Sequence, residues 1–220
     1  MDAEELKPKK IITSSSPQKQ VWFIHGANAT PTSFEYLRDK LKSDPDFKDF
    51  SLIDIKYNCQ ENLSGIIKAL TLSIRKGSQV YLVGHSLGGI IATAISQRIK
   101  VYELPLNIKG VFTISSPFGG SESAEYLQWL YPTYHLFRSI ATTSRVITDL
   151  ISLGAVVPTT SLVTSSGNNP LFSTANDGVV TIRSQRSLKG ANYIEINSNH
   201  FEVLMNQDTV EHLKVFLKNT

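Results

Sequence analysis

Three side chains in this 220-residue chain have the types that nucleophilic catalysis needs: Ser86, Asp177 and His200. A serine hydroxyl is a poor nucleophile at neutral pH. It needs a base within hydrogen-bond reach, and the base needs an acid to orient it. Ser86 sits in Gly84-His85-Ser86-Leu87-Gly88-Gly89, a G-x-S-x-G pattern. An apolar, β-prone run (80–83) leads into it and a helix-compatible stretch (90–100) follows. In a strand–turn–helix setting such a turn strains the serine and lifts its hydroxyl above the sheet, while the flanking glycines admit close backbones. The rival reading is a glycine-rich loop in an ordinary βα unit, and the setting weighs against it.

His200 stands between the last expected strand and the closing helix, where a loop can swing an imidazole toward the serine. It is one of five histidines. His25 and His85 adjoin site glycines but are not placed to be the base; His135 and His212 read as half-exposed surface groups. Asp177 lies in Asn176-Asp177-Gly178, a frequent turn sequence that could also be purely structural. Glu122 and Asp149 are the rival acids. An oxyanion formed by attack at a carbonyl needs two donors. The expected ones are the backbone N–H of Leu87, at the start of a helix, and that of Ala27, in the loop after the first strand.

These groups need a scaffold. Strands are expected at 21–24, 50–57, 79–83, 108–114 and 191–196, with a short one at 161–166. Apolar stripes place helices from Pro31 to about 41 (Phe34, Leu37, Leu41), from about 62 to 76 (Leu63, Ile66, Ile67, Leu70, Ile74), at 90–100 and at 201–217. Strands alternating with helices predict a mostly parallel sheet of about six strands covered on both faces, an α/β architecture. Functional groups in such sheets gather at the carboxyl ends of the strands. Residues 118–169 break the alternation with two apolar, aromatic helical patterns, one around Tyr126, Trp129, Leu130 and Tyr134, the other around Ile147, Leu150 and Ile151. They read either as a small helical cap over the strand ends or as an ordinary packed pair. The expected organisation is a tail at 1–20, one domain at 21–220 and a cap insertion at about 118–169.

Bulk properties narrow the function classes. With 41% hydrophobic and 19% charged residues the composition is globular. A net charge of +3 is too small to argue for nucleic acid or an anionic membrane. The single cysteine, Cys59, excludes an intramolecular disulfide framework and a cysteine-rich metal site. The histidines are scattered without metal-helix spacing, and the glycines form neither a dinucleotide fingerprint nor a P-loop, so no metal or cofactor is expected. No run approaches the ~20 apolar residues of a membrane span, and no signal-peptide pattern opens the chain. The default location is cytoplasmic, with export by another route left open; the sequence does not give an oligomeric state.

With these residues in view, the chain resembles a lipase/esterase-type α/β hydrolase. The matching pieces are 21–27, 84–89, Ser115-Ser116-Pro117-Phe118-Gly119-Gly120-Ser121, 176–180 and His200. Phe118 stands where a histidine is common in many bacterial lipases. The resemblance implies acyl transfer to water through an acyl-Ser86 intermediate, on a small-molecule ester or lipid-like substrate. Substrate contacts are expected at His25, Phe118, Trp129 and Tyr134. Thioester, amide or phospholipid cleavage by the same triad stays open, as does a non-catalytic interaction protein built on the same fold.

Overall fold

The computed structural model describes residues 18–27, 29–59, 61–120, 144–170 and 172–220. Six strands form one sheet: β1 (Lys19–Ile24), β2 (Phe50–Ile55), β3 (Gln79–His85), β4 (Asn107–Ile114), β5 (Thr159–Thr164) and β6 (Asn192–Ile196). Their order across the sheet is β2-β1-β3-β4-β5-β6, and every pair is parallel. The described helices are α1 (Glu35–Lys42, entered through a 3-10 turn at Pro31–Phe34), α2 (Leu63–Ser73), α3 (Leu87–Val101), α4 (Arg145–Leu153), α5 (Ile182–Gln185) and α6 (Gln207–Asn219).

The two-residue period of the strands divides the core between two layers. From β1 and β3, Trp22, Ile24, Val80 and Leu82 pack with the stripes of α2 and α3 and with Ile147 and Leu150 of α4. Val21, Phe23, Tyr81 and Val83 point the other way, toward Leu37 and Leu41 of α1 and Val210, Leu213 and Phe216 of α6. Both faces of the central strands are therefore apolar, which explains their near-continuous hydrophobic runs.

Several boundaries differ from the sequence reading. α2 ends at Ser73, not near 76, because Ile74 turns extended (ψ 123°) and is only 5% exposed. The closing helix is split. A 3-10 turn covers Glu202–Met205, and Asn206, extended at ψ 134°, then accepts from Asp208 N and restarts the chain as α6. The expected strand at 161–166 is β5, which begins two residues earlier and joins β4 to β6. It lies inside the 118–169 stretch, and α4 in the same stretch packs on α3 through Gln97, whose Nε2 donates to Leu150 O and Gly154 O. Trp129, Tyr134, Glu122 and the first helical pattern of that stretch lie outside the described residues. Among the described residues no helix is long and apolar enough to cross a membrane.

Candidate active site

The strand–turn–helix around Ser86 has the form its glycines suggest. β3 runs to His85, α3 starts at Leu87, and Ser86 between them has φ 53° and ψ −121°. A positive φ at a non-glycine residue costs energy and persists only where its surroundings enforce it. Here the enforcement is visible: Ser86 N donates to Ile114 O (2.8 Å) and Gly89 N donates to Ser86 O (3.0 Å). Gly88 explains the tightness of the turn. A Cβ there would lie 1.9 Å from Ile24 O and 2.7 Å from His25 O. The first turn of α3 thus rests directly on the backbone at the end of β1. The same packing sets a Cβ at Gly26 only 3.1 Å from Ser86 Cβ, so the loop carrying Ala27 flanks the serine.

Among the described residues, neither Ala27 N–H nor Leu87 N–H donates a hydrogen bond to the protein. Leu87 is the first residue of α3, where a helix leaves its N–H groups unpaired and partly positive. The preceding loop is braced by Tyr57, whose hydroxyl donates to His25 O (2.6 Å) and whose ring stacks on His25 at 4.4 Å. His25 Nδ1 donates to Gly26 O (2.8 Å). Burial lowers the His25 pKa, against a smaller opposing effect of that bond.

Asp177 and His200 meet in the interior. His200 Nδ1 donates to Asp177 Oδ2 (2.8 Å), and His200 N donates to Asp177 O (3.0 Å). Asp177 is 1% exposed and His200 2%. With Nδ1 carrying the hydrogen, Nε2 of a neutral His200 is the free basic position. The other Asp177 oxygen, Oδ1, accepts from Val179 N (2.9 Å) and Val180 N (2.7 Å). Thr164 Oγ1 (2.6 Å) and Gln185 Nε2 (3.2 Å) also donate to Oδ2. Burial pushes this carboxyl up, but the bonds from His200, Thr164 and Val180 outweigh it and leave the pKa below its ordinary value. The acid loop is held close to the end of β5 by Gly167, where a Cβ would fall 2.0 Å from Asp177 C. Among the described residues no hydrogen bond joins Ser86 Oγ to His200.

His85 ties the two halves together. Its Nε2 donates to His200 O (2.8 Å), and the two rings lie 4.8 Å apart. The residue before the serine thus holds the main chain of His200. Burial is the chief cause that lowers the His85 pKa to about 3, with the neighbouring His200 adding to it. Sequence reasoning assigned His85 no part, and no local signal marks a contact that spans 115 residues.

The remaining expected residues fall elsewhere. Phe118 is fully buried, in the core layer that also holds Leu87, Ile90 and Ile147. Asp149 lies on α4, largely exposed and paired with Arg145, whereas the carboxylate bonded to His200 is that of Asp177. Clefts open at the surface of the described residues. One, of about 410 Å³, lies between α2, α3 and α4; another, of about 530 Å³, runs beside the acid loop and includes Asp177 and Phe201. Neither is lined by Ser86 or His200. Among the described residues no group of three or more His, Cys, Asp or Glu is placed to hold a metal ion.

Neither a protein-family model nor a curated protein matches this sequence. Solved structures do match. The lin2722 gene product of Listeria innocua superposes with a TM-score of 0.68 at 15% identity, over 92% of this chain and 95% of that one. A lipase-esterase related protein from Clostridium acetobutylicum gives 0.63 at 15% identity, over 91% and 95%. The mature lipase BlEst2 of Bacillus licheniformis gives 0.62 at 17%, over 93% of each chain. At these identities the likeness is one of fold. Together with the six-stranded parallel sheet, it makes the architecture an α/β-hydrolase fold.

Proposed function

We propose that this protein is a serine hydrolase that cleaves carboxylic esters, with an acyl or lipid-like acid part, through an acyl-Ser86 intermediate. The observation that carries the reading is the buried His200–Asp177 pair, tied to the strained Ser86 turn through His85, the residue that precedes the serine. Ser86 Oγ attacks the ester carbonyl while His200 Nε2 takes its proton. Asp177 stabilises the imidazolium through Nδ1–H. The tetrahedral oxyanion is held by the N–H groups of Leu87 and Ala27. His200 then gives the proton to the departing alkoxide, the C–O bond breaks, and the acyl group stays on Ser86. Water enters, loses a proton to His200 and repeats the addition, releasing the acid and restoring the serine.

Supporting the choice of carbonyl chemistry is the pairing of this fold with a nucleophile, an acid and a base in the chain order Ser86, Asp177, His200. His25 sits at the oxyanion loop, and Trp129 and Tyr134 are read as the apolar contacts for the acyl chain. Phe118 would then act only through the packing behind the site. The test is Ser86→Ala, assayed on short-chain nitrophenyl esters. Turnover should fall by about 10⁴-fold or more; hydrolysis at the wild-type rate would overturn the proposal.

A further inference from the structure

Asp177 is surrounded by more donors than its partnership with His200 requires. Oδ2 alone receives His200 Nδ1, Thr164 Oγ1 and Gln185 Nε2. Thr164 has a single hydroxyl hydrogen and three oxygens within reach of it. These are Asp177 Oδ2 at 2.6 Å, Ser115 Oγ at 2.8 Å and Gln185 Oε1 at 3.3 Å. The nearest acceptor carries the charge, so the hydrogen goes to Asp177. Ser115 must then donate its own hydrogen to Thr164. The direction of the chain Ser115→Thr164→Asp177 follows from counting protons.

Gln185 has no freedom either. Its Oε1 accepts from Thr164 N (2.9 Å) and its Nε2 donates to Thr164 O (3.0 Å), which leaves the second Nε2 hydrogen for Asp177. Exchanging its oxygen and nitrogen would set acceptor against acceptor at two contacts and donor against donor at a third. Ser115, Thr164 and Gln185 are all 0% exposed, so water cannot repair a wrong arrangement. Three elements contribute: Ser115 from the end of β4 (itself at φ 52°), Thr164 as the last residue of β5 and Gln185 as the last of α5.

We infer that Thr164 and Gln185 are positioning residues of the hydrolytic site, which fix Asp177 Oδ2 in line with His200 Nδ1 through a one-way relay that starts at Ser115. This rests on the reading of Ser86, Asp177 and His200 as the reacting set. The competing view is that these bonds only fasten α5 to β5. The two views separate in kinetics. Positioning acts on the proton-transfer step, so it changes kcat and leaves KM alone. Mere fastening changes the amount of folded protein and its melting temperature.

The experiment compares Thr164→Val, Thr164→Ser and Gln185→Leu with the wild type. Each is checked for a cooperative thermal transition, assayed on a nitrophenyl ester, and examined by proton NMR for the low-field signal of His200 Nδ1–H. Thr164→Val should lower kcat about tenfold with KM unchanged, the factor expected for one charged hydrogen bond. Its low-field signal should shift or broaden. Thr164→Ser, which restores the hydroxyl, should recover both. If Thr164→Val does not fold, Gln185→Leu carries the same expectation. A folded Thr164→Val or Gln185→Leu with wild-type kcat and an unmoved signal overturns the inference, and so does a Thr164→Ser as slow as Thr164→Val. Failure of the underlying reading looks different: Ser86→Ala would then keep its activity, whatever Thr164 does.

Discussion

His85 and His200 are packed ring to ring, yet the site asks opposite things of them. In the proposed reaction His200 gains and loses a proton during each turnover. His85 must stay neutral, since only its Nε2–H faces an acceptor, His200 O, and its Nδ1 is buried without a partner. Burial lowers its pKa from 6.5 to about 3. The unfolded chain therefore binds a proton that the folded one refuses, across the window between these values. Stability is fully present above about pH 6.5 and is lost as the pH falls toward 3. Thermal unfolding followed over that range should show a falling Tm, and His85→Gln, which does not titrate, should show a shallower fall. Equal slopes would remove His85 as the cause. Asp177 adds its own loss at the acid end: its folded pKa lies below 3.8, so its contribution holds above that value and goes as the carboxyl is protonated. A second residue-scale expectation concerns the tautomer. Asp177→Asn replaces an acceptor by an amide and lets His200 present the wrong nitrogen, so kcat should fall by about 10⁴-fold while the protein stays folded. A kcat near wild type would assign the orienting role elsewhere.

At the scale of elements, α3 is the part the site depends on most, because its N-terminal turn lies against β1 with no side chain between. Gly88→Ala would push a methyl group into Ile24 O, and α3 could relieve that only by moving off the sheet. Overpacking of this kind costs about 1–3 kcal/mol or more, and it would displace Ser86 and Leu87 together. Tm and ester turnover should drop in parallel in Gly88→Ala; a variant as stable and active as the wild type would contradict the packing argument. Elements of this kind were legible because their signals are local: apolar runs for β1 and β3, glycine spacing at the turn, a stripe for α2. What escaped the sequence reading had no local signal. α5 is four residues long, too short to show a period, yet it carries Gln185. Asn206 interrupts the closing helix through a side-chain cap on Asp208 that an apolar stripe does not register. The partners of Asp177 come from 13 and 8 residues away and are ordinary Thr and Gln by type. Only the fold brings them to one carboxylate oxygen.

At the scale of the whole molecule, the sheet sets out the proposed reacting groups in sequence across its carboxyl edge: Ala27 after β1, Ser86 after β3, Asp177 between β5 and β6, His200 after β6. Neighbouring strands in the order β1-β3-β4-β5-β6 put the loop carrying Ala27 on one side of Ser86 and the loops carrying Asp177 and His200 on the other. Specificity for the acid part is read onto the aromatic residues of the 118–169 stretch, so it should appear as a dependence on chain length. A series of nitrophenyl esters from acetate to palmitate should give kcat/KM values that rise to a maximum and then fall. Equal rates across the series would argue against an acyl-binding wall. The central claim, a reactive serine at the β3–α3 turn, is tested most directly by a fluorophosphonate. We predict one covalent adduct on the folded protein, mapped by mass spectrometry to Ser86, absent in Ser86→Ala and strongly slowed in a folded His200→Ala. No adduct on the folded protein, or an adduct on another residue, would contradict the account.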